Sequence, residues 1–512
     1  MAEEITRDIR GERIKKLEGL RASGIDPFSY TKFERAHMTK EIIEKHSGIN
    51  PNEKLENEKV AVAGRIRAVR RHGGGSFFDL EDFDGKIQVW ISLDTVGKKT
   101  YDIFEKVDVG DIAGVKGYVF KTARGEISIW VEEFLLLAKS IRQLPSKWFG
   151  LKDIEKRYRE RYVDLIMNPE VKDVFVKKTK MIKAMREFLD SKGFLEVDTP
   201  VLQPIYGGAL AKPFITHHNA LKRDLYLRIA DELYLKRLIV GGFEKVYEIS
   251  KDFRNEGIDT RHNPEFTQME FYQAYIDYHG VMALAEEMIA FIAKKVLETT
   301  KIKYKDYDID LKPPWTRISM LDSIRKYIGI DVEKESIENL KRFLKEKRIE
   351  VKSDATKGEI MIVLFEEFVQ PQLIQPTFVL DHPIEISPLA KKKPRNSKLT
   401  ERFELFIGTE ECGNAFSELN DPIDQKERFE EQAKRRIRGD EETHPTDDDY
   451  IKALEYGMPP TGGFGIGIER LTMILTNSPS IRDVILFPQL RELKEKEEFG
   501  DVESDQILKK EE

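Results

Sequence analysis

A single cysteine, Cys412, stands in a chain of 512 residues. One thiol cannot close an internal disulfide, so the fold has to rely on its core, and the composition fits a reducing compartment. Long apolar runs are missing as well. None reaches the roughly 18 residues that a membrane-spanning helix needs. The opening Met-Ala-Glu-Glu-Ile-Thr-Arg-Asp lacks an apolar stretch and carries acids early. That argues against a secretory or transit peptide and predicts a cytoplasmic protein. There is no excess of positive charge: Lys+Arg number 85 against 92 Asp+Glu, a formal charge of −7. This excludes indiscriminate affinity for nucleic acid but not a local patch, because patches decide binding. Residues 139–161 hold eight basic and three acidic side chains.

What is present describes a globular protein with a heavily charged surface: 40% hydrophobic and 35% charged residues. At about 150 residues per domain, the length suggests three domains, or two of which one is large. Ile5, Ile9, Leu17 and Leu20 mark an amphipathic helix over 4–22, broken at Gly24-Ile25-Asp26-Pro27-Phe28. From about 60 the period changes to two. Val60–Arg71, Phe77–Glu81, Lys86–Ile91, Ile112–Phe120 and Glu126–Leu137 read as five short strands, which suits a closed OB-fold barrel. Helical patterns at 172–192, 280–298 and 336–348 then mix irregularly with strand-like segments at 225–230, 243–250, 266–276, 402–408 and 415–419. The segment 463–475 supplies a last strand or helix. The expected class is α+β: a barrel followed by an antiparallel sheet flanked by helices. The expected domains are a helical extension (1–58), the barrel (59–138), a basic linker (139–161), a large domain (162–490) and a charged tail (491–512).

Three segments concentrate chemistry. The first runs Phe253-Arg254-Asn255-Glu256-Gly257, then Arg261-His262-Asn263-Pro264-Glu265-Phe266-Thr267-Gln268-Met269-Glu270. A cation before a loop and an aromatic after it can grip a phosphate and stack on a base, although a salt-bridge network explains the pattern equally well. The second is Gly462-Gly463-Phe464-Gly465-Ile466-Gly467-Ile468-Glu469-Arg470. It lacks the strand that precedes a dinucleotide loop, and by itself favours a Gly-rich turn slightly over a site. In the third, Arg402-Phe403-Glu404-Leu405-Phe406 precedes Glu411-Cys412-Gly413-Asn414-Ala415-Phe416-Ser417-Glu418-Leu419-Asn420. Carboxylates at 404 and 411 could hold Mg²⁺ bridged to phosphates. Glu418 alternates with apolar neighbours; pointing inward, it needs a cationic partner, and a ligand ammonium would serve. Cys412 reads as packing.

Together with Gly193-Phe194-Leu195-Glu196-Val197-Asp198-Thr199-Pro200, these segments resemble the three signature motifs of class II aminoacyl-tRNA synthetases. Gly207-Gly208-Ala209, Pro213-Phe214-Ile215-Thr216-His217-His218-Asn219 and the strings F-R-N-E-G, R-H-N-P-E-F-T and G-N-A-F-S-E-L-N-D are similar to the lysyl-tRNA synthetase family. The likeness covers about 10–490. It implies activation of L-lysine by ATP and transfer to tRNA(Lys), with Mg²⁺ as cofactor and a homodimer formed through the first motif.

Residue by residue, the likeness implies that Arg254 grips the α-phosphate and the lysine carboxylate, with Arg470 as its catalytic companion. Asn255, Glu256, His262, Asn263, Leu405 and Gly467 line the ATP site, and Phe266 and Arg470 sandwich adenine. Glu404 and Glu411 hold Mg²⁺. Gly208 and Glu232 meet the lysine α-ammonium, Asn414 its carboxylate, and Glu270, Tyr272 and Glu418 its ε-ammonium. In the barrel, Phe77 and Gln88 read the anticodon with Arg70 or Arg71. Neighbouring strand residues face opposite sides, so one of Phe77 and Phe78 points outward, and Phe77 is the expected one. Aspartyl- and asparaginyl-type synthetases share this architecture, but acids at 270 and 418 suit a cationic side chain instead. A non-catalytic RNA-binding paralogue has no need for Arg254, Glu411 and Arg470 together. A relative that lysylates an elongation factor would lack the barrel.

Overall fold

The computed structural model describes residues 8–145, 153–437 and 444–492. The chain divides into two compact units, with the boundary after Asp153. Among the described residues, no helix is long and apolar enough to cross a membrane.

In the first unit, helix α1 (Ile9–Ala22) is capped by the Asp8 carboxylate and buries Leu17 and Leu20. Five strands follow: β1 (Lys54–His72), β2 (Gly75–Glu81), β3 (Lys86–Ser92), β4 (Ile112–Lys121) and β5 (Ile127–Ala138). They close into a barrel in the order β1-β2-β3-β5-β4, with β3 and β5 parallel. Alternation sends Val62, Ile66, Phe78, Leu80 and Val89 fully into the interior. Helix α2 (Leu93–Glu105), which the period-two pattern does not reveal, kinks at Gly97 and packs Tyr101 and Phe104 onto the same core.

The basic stretch 139–161 is largely committed to internal pairs. Lys139 is buried against Asp108 and Asp111. Residues 154–159 are helical. Arg157 and Arg161 both clamp Asp164, at 2.8 and 2.6 Å. Phosphate contacts from these side chains would first have to break ion pairs. Lys147 and Lys152 lie outside the described residues, as do Ile5 and the tail from 493.

The second unit is built on an eight-stranded sheet: β6 (Leu195–Glu196), β7 (Lys245–Phe253), β8 (Glu265–Ala274), β9 (Thr316–Ser319), β10 (Thr377–Leu380), β11 (Arg402–Ile407), β12 (Glu410–Ser417) and β13 (Thr461–Gly467). Their order is β9-β10-β11-β12-β13-β8-β7-β6. The interior pairs are antiparallel, as expected, but both edge pairs, β9–β10 and β7–β6, are parallel, so the sheet is mixed. One face packs on helices α3 (Pro169–Ser191), α5 (Tyr278–Leu297) and α6 (Ile468–Thr476) through Met269, Phe271, Phe403, Leu405, Phe464 and Ile466. Helix α4 (Glu232–Val240) was not visible in the pattern. The Gly-rich segment is a strand, not a turn. Its period-two glycines alternate with Phe464 and Ile466, which enter the core, so the glycines occupy the opposite face.

Candidate active site

That opposite face carries a cavity of ≈ 320 Å³, the size of a small-ligand site. Its floor is the alternate residues of three neighbouring strands. On β8, Met269 and Phe271 face the core, so Gln268, Glu270 and Tyr272 face the cavity; on β12 it receives Asn414 and Phe416, and on β13 Gly463, Gly465 and Gly467. The β7–β8 turn brings Arg254, Glu256, His262, Asn263 and Phe266 to one end, joined by Glu411 and Arg470. Gly208, Glu232 and Glu418 complete the other. Gly208 has φ +88°, and a Cβ there would lie 2.9 Å from the Ala230 Cβ, so the chain passes close only because this residue is glycine.

The two ends differ in charge. At the first, the Arg254 guanidinium lies 5.0 Å over the Phe266 ring. Arg470 donates to the Glu411 carbonyl at 2.7 Å and lies 3.4 Å from His262 Nε2. Asn263 is held by its donation to the Glu265 carbonyl. At the second end, Glu270 is buried and accepts from Gln268 Nε2 at 2.6 Å and from the Tyr272 hydroxyl at 2.9 Å. Burial first, then the charges of Asp231, Glu232 and Asp252, holds its carboxyl well above the usual range. Glu232 opens α4, is fully buried and has its carboxyl raised by burial against the pull of Lys236.

Three of the expected residues fall outside the cavity lining. Leu405 is no ATP contact through its side chain: strand alternation next to Glu404 turns it into the core on the far face. Asn255 is exposed, outside the cavity lining, and its backbone N–H is tied to the Lys212 carbonyl at 2.7 Å. Glu404 sits beside the cavity rather than in its lining and accepts from Arg402 at 2.7 Å. The inward Glu418 does not wait for a ligand ammonium, because Lys236 already pairs with it. Lys236 and Arg402 were both missed. The Glu232–Lys236 spacing of four is a helical signal that could have flagged the first. Arg402 donates to Asn414 Oδ1 at 3.0 Å and to Glu404, a link no local pattern reveals.

On the barrel, Phe78 is fully buried and Phe77 lies half-buried on the outside, 4.5 Å from Trp90. Register places Arg70 opposite Phe77, and Asp79 opposite Gln88, on this outer face. Arg70 pairs with Asp79 at 2.7 Å, while Arg71 turns to the other side and donates to the carbonyls of Glu105 and Val107.

A mixed sheet with paired arginines and carboxylates over a cleft, preceded by an OB barrel, defines a class that comparison with known proteins makes specific. Residues 153–491 match the family model for class II tRNA synthetases (D, K and N). Residues 60–137 match that for the OB-fold nucleic acid binding domain. The lysine–tRNA ligase of Thermoanaerobacter sp. is 56% identical over 94% of this chain and 95% of its own length. That of Moorella thermoacetica is 54% identical over 96% and 99%, and that of Clostridium botulinum (strain Loch Maree) 55% identical over 96% and 97%. The chain belongs to the lysine–tRNA ligase family of class II synthetases.

Proposed function

We propose that the cavity is where L-lysine and ATP become lysyl-adenylate and pyrophosphate, and where the lysyl group then passes to the 3′ end of tRNA(Lys). The carrying observation is the division of one cleft into a carboxylate end and an arginine end. Lysine brings two ammonium groups and ATP brings phosphates, and each end suits one of them.

In the first step the lysine carboxylate attacks the α-phosphorus and pyrophosphate leaves. The nucleophile is already ionised at neutral pH, so no general base is needed. What must be supplied is alignment of two anions and cationic charge around the phosphorus. Arg254 stands where it can hold the α-phosphate and the carboxylate together. Arg402 occupies the Asn414 side-chain oxygen, which leaves the amide N–H groups for that carboxylate. Phe266 and Arg470 offer two faces for the purine. Glu270, with its oxygens fixed by Gln268 and Tyr272, and Glu418 meet the ε-ammonium; Glu232, beside Gly208, meets the α-ammonium.

The Mg²⁺ assignment fits only in company with the nucleotide. Among the described residues no group of three His, Cys, Asp or Glu can hold a metal alone. Two carboxylates, Glu404 and Glu411, are what Mg²⁺ takes when phosphates complete its shell, and both lie near enough to Glu366 to raise its pKa. When bound, the ion would neutralise phosphate charge.

Phe77, Gln88 and Arg70 form the anticodon-reading face, and a second copy of the chain pairs through 193–200, where Leu195 is exposed, as are Val201 and Leu202 just beyond it. The test is ATP–pyrophosphate exchange with each amino acid in turn. Lysine should lead and ornithine follow, since one methylene is worth only about 1–3 kcal/mol. Aspartate or asparagine as the best substrate overturns the reading.

A further inference from the structure

Lys236 lies on α4, one turn beyond Glu232, and its side chain is wholly buried. Its ammonium pairs with Glu232 Oε1 and with Glu418 Oε2. Both carboxylates line the cavity and Lys236 does not, so the cation stands behind the wall. The second Glu418 oxygen, Oε1, is buried without a hydrogen-bond partner. It would lie 2.2 Å from a Cβ on Gly463, a floor residue of the cavity. Lys236 therefore takes one oxygen of Glu418 and leaves the other toward the ligand space. Fully ionised, the three carboxylates Glu232, Glu270 and Glu418 against one ammonium leave two negative charges, which is the number of ammonium groups on lysine.

We infer that Lys236 is a positioning and specificity-determining residue, which turns Glu418 toward the ligand and lowers the cost of ionising Glu232 and Glu418, so that the pocket is neutralised by an amino acid with two ammonium groups. This rests on the reading of the pocket as the lysine site. Burial alone would pull the Lys236 ammonium down; Glu232 and Glu418 more than reverse that and hold it above its ordinary value. Burial pushes the Glu418 carboxyl up to about 8 against the pull of Lys236; without that cation it rises further, and the incoming lysine must expel its proton at a greater cost.

The other groups facing the pair stay silent around neutral pH. His444 is pushed down to about 4 by burial and then by Lys236. Tyr272 and Tyr450 are pushed up by burial. Lys391 faces Glu418 and Arg402 faces Glu232 as further cations.

The experiment compares wild type with Lys236→Met in lysine-dependent ATP–pyrophosphate exchange from pH 6.5 to 9. Thermal melting and the KM for ATP report on folding. At pH 7 the lysine KM should rise about ten- to a hundredfold, with kcat within about threefold of wild type, since one unit of pKa is a factor of ten. The ratio of mutant to wild-type KM should shrink toward pH 9. A raised KM with a ratio that does not change with pH overturns the proposal and makes Lys236 a packing residue. A lysine KM unchanged at every pH overturns the pocket reading and the proposal with it. If Lys236→Met does not fold, Lys236→Arg, which keeps the charge, decides in its place: a lysine KM within about tenfold of wild type at pH 7 supports the role of the cation, and a rise of about a hundredfold that does not change with pH overturns it.

Discussion

Gly463→Ala tests the pocket with a single methyl. Gly463 lies on β13 opposite Tyr272 on β8 and Phe416 on β12. An added Cβ would stand 2.2 Å from Glu418 Oε1 and 2.4 Å from the Tyr272 ring. Neither neighbour can retreat freely: Glu418 is pinned by Lys236, and the Tyr272 hydroxyl is spent on Glu270 at 2.9 Å. The backbone itself tolerates alanine, since Gly463 is not among the glycines with positive φ. Overpacking of this kind costs about 1–3 kcal/mol. At about 1.4 kcal/mol per tenfold, that is roughly a five- to 150-fold rise in lysine KM. The nucleotide end is spared, because Phe266 and Arg470 lie beyond Gly467 at the far end of the strand, so the KM for ATP should stay within about twofold. The shorter ornithine should lose less than lysine, and the preference for lysine should narrow. Exchange kinetics with both amino acids on the folded variant decide it. A lysine KM within twofold of wild type would refute the placement of the lysine tail between Glu418, Tyr272 and the β13 floor.

Other perturbations separate the remaining roles. Arg254→Ala should slow lysine-dependent exchange by about a hundred- to a thousandfold, as for loss of one preorganised charge at a reacting centre, and single-turnover adenylate formation measures it. Phe77→Ala should leave exchange nearly intact and weaken aminoacylation about ten- to a hundredfold in kcat/KM for tRNA, because one base stack is worth about 1–3 kcal/mol; an equal fall in both would make Phe77 a fold residue. Glu270 carries a carboxyl raised above its unfolded value, so its contribution to stability is complete below the ordinary carboxylate range and is lost as pH rises through the raised value. Bound lysine supplies the missing counter-charge, so the gain in melting temperature on adding lysine should grow with pH above neutrality; a gain that is flat or falls would place the ε-ammonium elsewhere.

The barrel was readable because its strands alternate cleanly and its turns are Gly-rich or acidic. Lys86–Ile91 and Ile112–Phe120 differ from the observed strands by a single residue at one end. The same alternation corrects Leu405: the likeness carried it into the ATP site beside Glu404, yet neighbours on a strand cannot share a face. Helix α4 was hidden because its buried polar residues, Glu232 and Lys236, break the apolar stripe that marks an amphipathic helix. Their meaning lies in Glu418, 182 positions beyond Lys236, and no window along the chain joins them. The parallel edges of the sheet depend likewise on which distant strands meet.

The glycines of β13 show how the two ends of the cleft are kept apart and yet joined. A glycine at every second position removes side chains from the cavity face while Phe464 and Ile466 anchor the strand in the core. The neighbours change along the strand: Gly463 meets the Glu418 and Tyr272 side chains, Gly465 the Gln268 amide and the Glu270 stem, and Gly467 the aliphatic stem of Arg470. In the pose proposed above, lysine lies with its side-chain ammonium near Gly463 and its carboxylate toward Arg254, the cation proposed for the α-phosphate. The orientation that would select lysine is then the orientation that would align the attack, which is why a change as small as one methyl at Gly463 should be read in substrate choice before it is read in the fold.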